Sequence, residues 1–127
     1  MKCTINIDGR AIPLDWRGGT AIQYKYAFKR DPIADIMSLM SIANLETGEI
    51  NAEDLGGFDS EIIYRMFWTA ARTADKSVNE DFFDFLDEFD SLPFVDLLDQ
   101  GMLEMIVTSM ISTKQIKNRQ APTVTTQ

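Results

Sequence analysis

A mostly α-helical domain opened by a small β-hairpin is the fold class this sequence predicts, and three observations predict it. Residues 2–7 alternate polar and apolar with a period of two and run into Asp8-Gly9, a dipeptide suited to a two-residue hairpin turn. Beyond residue 20 the apolar positions recur every three or four residues, which is helical spacing. A chain of 127 residues, 45% of them hydrophobic, suffices for one core and is short for two. The expectation is a single domain over 1–113, with the hairpin at 2–16 and a bundle of about five helices from about 20 to 113. A flexible polar tail at 114–127 follows.

In the hairpin, Cys3, Ile5 and Ile7 share one face, and Ile12, Leu14 and Trp16 give the return strand its apolar side. Pro13 marks that strand as an edge, because proline cannot donate to a ladder. Gly18-Gly19 break the chain, and Thr20 is a candidate cap for a helix in which Tyr24 and Phe28 stack one turn apart. Asp31-Pro32 interrupts that helix. Ile36, Met37 and Met40 then carry a second one from Ile33 to about Ala43, and the polar stretch NLETGEINAEDLGG separates the two halves.

Asp59 is a candidate N-cap, with Phe58 before it positioned to staple onto Ile63. The rows Ile62/Ile63, Met66/Phe67 and Ala70/Ala71 repeat every four residues. They predict a core-facing helix that leaves Glu61, Arg65 and Arg72 in water. Ser77 and Glu80 match a capping box, which would start the next helix, and Pro93 would end it. Met102/Leu103, Ile106/Val107 and Met110/Ile111 make a last doubled row, with Gly101 set to kink its start.

The most informative segment is Asp75 to Asp99, with nine carboxylates, five phenylalanines and Lys76 as its only base. On a helical projection Phe82, Phe85, Leu86 and Phe89 share an arc with Phe83 beside it. Glu80, Asp81, Asp84, Asp87 and Glu88 take the opposite side. These acids have no lysine or arginine three or four residues on, so repulsion opposes the helix by about a few tenths of a kcal/mol per pair. Either packing of the phenylalanines in the core or a basic partner must offset it.

A net charge of −8 and an isoelectric point near 4.4 exclude a phosphate-binding surface, which needs concentrated lysine and arginine. The charge is uneven. Lys2, Arg10, Arg17, Lys25, Lys29 and Arg30 outnumber Asp8 and Asp15 in the first thirty residues. From Asp31 to Glu104, acids dominate Arg65, Arg72 and Lys76. Such a molecule can fold its basic start onto its acidic middle, associate with its own copies, or accept a basic partner. The lone Cys3 forms no internal disulfide, and the sequence offers neither an export signal nor a membrane-spanning stretch.

Catalytic signatures are missing. The chain has no histidine, the commonest general base and nitrogen ligand. A carboxylate pair for glycoside hydrolysis would have to face across a cleft, whereas residues 80–90 predict one exposed face. The loop at 43–54 mimics the glycine spacing of an EF-hand, but Ala43 and Leu45 stand where oxygen ligands are required. No cofactor or metal is expected. Of the seven methionines, all but Met1 and Met105 fall at core spacing.

Four stretches together carry a resemblance: IDGR at 7–10, GGTAIQYKYAFKRDPIADIM at 18–37, WTAARTADKSV at 68–78, and DFLDEFDSLP at 84–93. In this order and spacing the chain resembles the tail assembly chaperones of long-tailed bacteriophages and prophages, over about residues 3–113. Phenylalanine stands within 81–85 where a tryptophan is common in that family. The resemblance implies a mostly helical, non-enzymatic protein of the infected host's cytoplasm, absent from the finished virion. It would bind and solubilise the tape measure protein, and would recruit tail tube protein through a longer frameshifted product.

On this basis Trp68, Asp81, Phe83, Asp84, Asp87 and Glu88 are the candidate partner-binding residues, with side-by-side association of copies as a further expectation. A different class of function also fits the acids: a nucleic-acid mimic that blocks a DNA-binding protein by imitating phosphate spacing.

Overall fold

The computed structural model describes residues 1–42 and 56–111; the loop compared with an EF-hand and the polar tail lie outside the described residues. Strands β1 (Lys2–Ile7) and β2 (Arg10–Asp15) pair antiparallel, with Ile5 opposite Ile12 and Ile7 opposite Arg10. Asp8 and Gly9 join them with φ of 52° and 73°, the two left-handed residues a primed hairpin turn requires. At the open end the Met1 ammonium donates to the Trp16 carbonyl at 2.9 Å, and Trp16 N–H returns the bond at 2.8 Å. Alternation along this ladder puts Pro13, opposite Thr4, at a position whose nitrogen points away from β1. Its missing N–H therefore costs the pair nothing.

Among the described residues six α-helical segments follow the hairpin: α1 (Thr20–Phe28), α2 (Pro32–Ile42), α3 (Glu61–Ala74), α4 (Phe82–Leu86), α5 (Phe94–Leu97) and α6 (Leu103–Ile111). Lys29 closes α1 in the left-handed conformation at φ 57°, returning its N–H to the Lys25 carbonyl. Asp31 then accepts the Ile33 N–H at 3.0 Å, and Pro32, with no N–H to lose, opens α2. Between α5 and α6 a wide turn over Leu98–Met102 leaves helical geometry at Gln100 and Gly101, the latter at φ 96°. The predicted kink at Gly101 is therefore present.

Helix α3 is the axis of the core. It packs along β2 and touches α1, α2, α4 and α5. Ile62, Ile63, Met66, Phe67, Ala70 and Ala71 are all buried, against Ile5, Ile12, Leu14 and Trp16 of the hairpin and Phe85, Leu97, Met102 and Ile106 from the C-terminal half. Each fully buried large side chain contributes about 1.5–3 kcal/mol relative to exposure. The small pair Ala70/Ala71 lets neighbouring backbone approach.

Several local expectations are corrected. Thr20 does not cap α1; its hydroxyl accepts from Arg17 N–H and meets Thr73, so it fastens α1 to α3. Arg65 is buried rather than wet, held by Tyr24, Asp35, Asp59 and Glu61. On α2 the buried positions are Ile36, Leu39 and Ile42, and Met37 is exposed, because a helix apolar on several faces does not announce which one docks. Met105 is buried despite its spacing.

The largest correction concerns the acidic segment. It is no two-faced helix from residue 77; α4 has five residues and begins at Phe82. Asp75 Oδ1 takes the Ser77 N–H, Asn79 Oδ1 takes the Asp81 N–H, and Asp81 Oδ1 takes the Asp84 N–H, each at 2.9 Å. Asp75 and Asn79 thus divert backbone donors into turns, Asp81 caps α4 so that the helix starts only at Phe82, and the unrelieved carboxylates give a longer helix nothing to favour it.

Candidate functional site

Where α1, α3 and α4 meet, four aromatic rings form one cluster. Phe28 lies edge-on to Trp68 at 5.5 Å and to Phe82 at 5.1 Å, Trp68 meets Phe82 at 6.0 Å, and Phe82 meets Phe83 at 5.3 Å. Edge-to-face contacts of this kind bring the positive rim of one ring to the negative face of another. The cluster walls a groove of about 540 Å³, which Arg30, Arg65, Glu61, Glu80 and Asp81 also line. Phe83 is 72% exposed at its edge.

Each wall is fixed from below. The Trp68 indole N–H donates to the Asn79 carbonyl at 2.9 Å, which ties α3 to the turn before α4. Arg72 binds the same turn through the carbonyls of Lys76 and Val78, both at 2.7 Å. The Ser77 hydrogen bonds hold the Asp75 carboxyl below its ordinary range. Tyr64, half-buried, donates to the Leu92 carbonyl at 2.9 Å, and burial pushes its phenol up.

Beneath the groove runs a polar network. Asp35, buried on α2, accepts from the Tyr24 hydroxyl and from Arg30 Nη2 at 2.8 Å. Arg65 Nε donates to the Tyr24 oxygen at 3.2 Å, Nη1 to Glu61 at 2.7 Å and Nη2 to Asp59 at 3.2 Å. Burial alone would raise the Asp35 carboxyl, but the Arg30 and Tyr24 hydrogen bonds and both guanidiniums outweigh it, so it titrates below the usual carboxylate range. Burial and the Asp35 hydrogen bond push the Tyr24 phenol far above its ordinary value.

Compared with protein-family models, curated proteins and solved structures, the chain matches none. Its function is therefore argued from its own surfaces. Of the six residues expected to bind a partner, the structure brings Trp68, Asp81 and Phe83 together at the groove. Asp84, Asp87 and Glu88 are exposed but do not line it, and Glu88 instead pairs with Arg10 of β2 at 3.3 Å. Arg10 also lies 4.5 Å over the Phe89 ring. The basic start therefore does fold onto the acidic segment, at this one ion pair among the described residues.

The phenylalanines divide. Phe85 and Phe89 are core, Phe82 is half-buried, and Phe83 is free. Phe28, Phe82, Arg30, Arg65 and Asp35 belong to the site but are not among the partner-binding candidates that the sequence offers. The one-turn pair Tyr24/Phe28 was the available signal, since ring-on-ring stacking on α1 needs a surface to continue onto. Among the described residues no group of three His, Cys, Asp or Glu is placed to hold a metal, and no helix is long and apolar enough to cross a membrane.

Proposed function

We propose that this chain is a tail assembly chaperone of a long-tailed phage or prophage, which binds the tape measure protein and keeps it soluble until the tail tube forms around it. It acts by binding rather than by chemistry, in the host cytoplasm, and leaves the finished particle. A longer frameshifted product would add the recruitment of tube subunits. The observation that carries the proposal is Phe83, a ring left 72% exposed at the edge of a fixed aromatic groove, in an acidic segment where only Glu88 has an ion-pair partner among the described residues. A long helix with apolar stripes aggregates unless a partner covers the stripes, and an anionic partner with an exposed aromatic edge both covers and solubilises it.

The mimic of nucleic acid fits less well, since a five-residue α4 sets no regular row of carboxylates along one face. The proposal is tested by expressing the tape measure encoded beside this gene with and without the chain. Soluble, co-purifying tape measure only when both are present supports it; equal insolubility in both cases overturns it.

A further inference from the structure

We infer that the groove between α1, α3 and α4 selects an apolar side chain that is followed, about one helical turn on, by a lysine or arginine. The inference rests on the groove being the contact surface of the proposed chaperone, and adds the chemistry of the segment it takes.

The charges decide the polarity of the occupant. Arg30 is already engaged by Asp35, and Arg65 by Asp59 and Glu61, so among the described residues an incoming anion meets no free cation on the groove. Glu80 and Asp81 make no ion pair among the described residues. An incoming cation therefore meets two carboxylates with no ion pair among the described residues, Asp81 holding only the Asp84 N–H, beside the exposed Phe83 ring, whose face also attracts it.

The walls decide the anchor. Phe28, Trp68, Phe82 and Phe83 present apolar surface in a groove that the guanidiniums and the acids also line, with space for one or two side chains. The anchor supplies affinity, and the cation supplies register and direction, since exposed ion pairs steer more than they hold. Because the Trp68 indole and the Arg65 guanidinium are both pinned by hydrogen bonds, the groove is formed before anything enters it.

The probe is a fluorescein-labelled amphipathic helical peptide of about 18 residues carrying leucine and, one turn on, lysine. Two controls replace the lysine by glutamate or the leucine by serine. Anisotropy gives affinities, and the two indole N–H resonances report location, Trp16 being the buried reference for Trp68. Expected are binding of the parent, loss of about tenfold or more in each control, and a shift of the Trp68 signal alone. Phe83→Ser should weaken the parent by about tenfold, and Glu80→Lys should reverse the preference between lysine and glutamate peptides. Equal affinity for both peptides, a shift confined to Trp16, or unchanged binding by Phe83→Ser overturns the inference.

The two proposals fail separately. A tape measure held equally well by the wild type and by the Phe83→Ser, Glu80→Lys double variant sinks the groove chemistry and leaves the chaperone. A chain that sorts the peptides as expected yet ignores the tape measure sinks the chaperone and leaves the groove.

Discussion

The Tyr24 hydroxyl donates to Asp35 while accepting from Arg65 Nε at 3.2 Å, so one phenol joins a buried carboxylate on α2 to a buried guanidinium on α3. Each of the three groups would be costly to bury alone, and together they satisfy one another. The aromatic groove stands directly on this junction. Its rigidity is a consequence of interior polar chemistry.

Asp35→Asn should destabilise the fold by about 3 kcal/mol, because Arg65 and Arg30 lose a buried counterion while Asp59 and Glu61 remain. Tyr24→Phe, which removes a donor but keeps the ring, should cost about 1–2 kcal/mol. Urea denaturation at neutral pH measures both. A value near zero for Asp35→Asn would mean that the network is not formed in solution.

Acid should reach the same network. Asp35 and Asp15 are both held below the ordinary carboxyl value of 3.8, as hydrogen bonds and nearby cations outweigh the opposing effect of burial. A depressed folded value means that the stabilisation is present above the unfolded value and is lost as pH falls through the folded one. The urea midpoint should therefore hold down to about pH 5 and drop below about pH 4, more steeply in the wild type than in Asp35→Asn. Parallel acid profiles for the two proteins would assign the loss to other carboxylates.

Gln100 makes a second long-range tie. Its side-chain amide accepts from Asn6 N–H at 2.8 Å and donates to the Asn6 carbonyl at 2.9 Å, pairing with β1 as a neighbouring strand would. Gly101 beside it sits at φ 96°, with open space where a Cβ would be, so any cost of Gly101→Ala is conformational rather than steric. Gln100→Ala and Gly101→Ala should each cost about 1–2 kcal/mol and speed hydrogen exchange at the Asn6 amide. Unchanged exchange in Gln100→Ala would show that β1 holds its edge without the amide.

The phenylalanines give the sharpest contrast. Phe85, in contact with Phe67 and Phe89 at 5.4 Å each, should cost about 3–5 kcal/mol on truncation to alanine. Phe83→Ser should alter stability by less than about 0.5 kcal/mol, since most of the ring already faces water. Thermal unfolding of the two variants decides it.

How much of this was legible beforehand varies with the kind of signal. The hairpin, the core row of α3, the break at Asp31-Pro32 and the kink at Gly101 each follow from local rules that tertiary packing did not override. The apolar spacing of the acidic segment suits a helix from Ser77, yet Asp75 and Asn79 each capture a backbone donor and turn the chain, and Asp81 caps a helix only from Phe82. The charge of Arg65 argues for water in the sequence, whereas Tyr24 and Asp35, which make its burial tolerable, are distant in it. The groove itself joins α1, α3 and α4, so only Trp68, Asp81 and Phe83 could be named from composition and resemblance.

The most direct measurement is the amount of tape measure kept soluble in cells that make it with the wild-type chain or with Phe83→Ser, both chains being confirmed folded. The account predicts that the serine variant folds normally and loses most of the soluble tape measure. Equal recovery with both chains would contradict it.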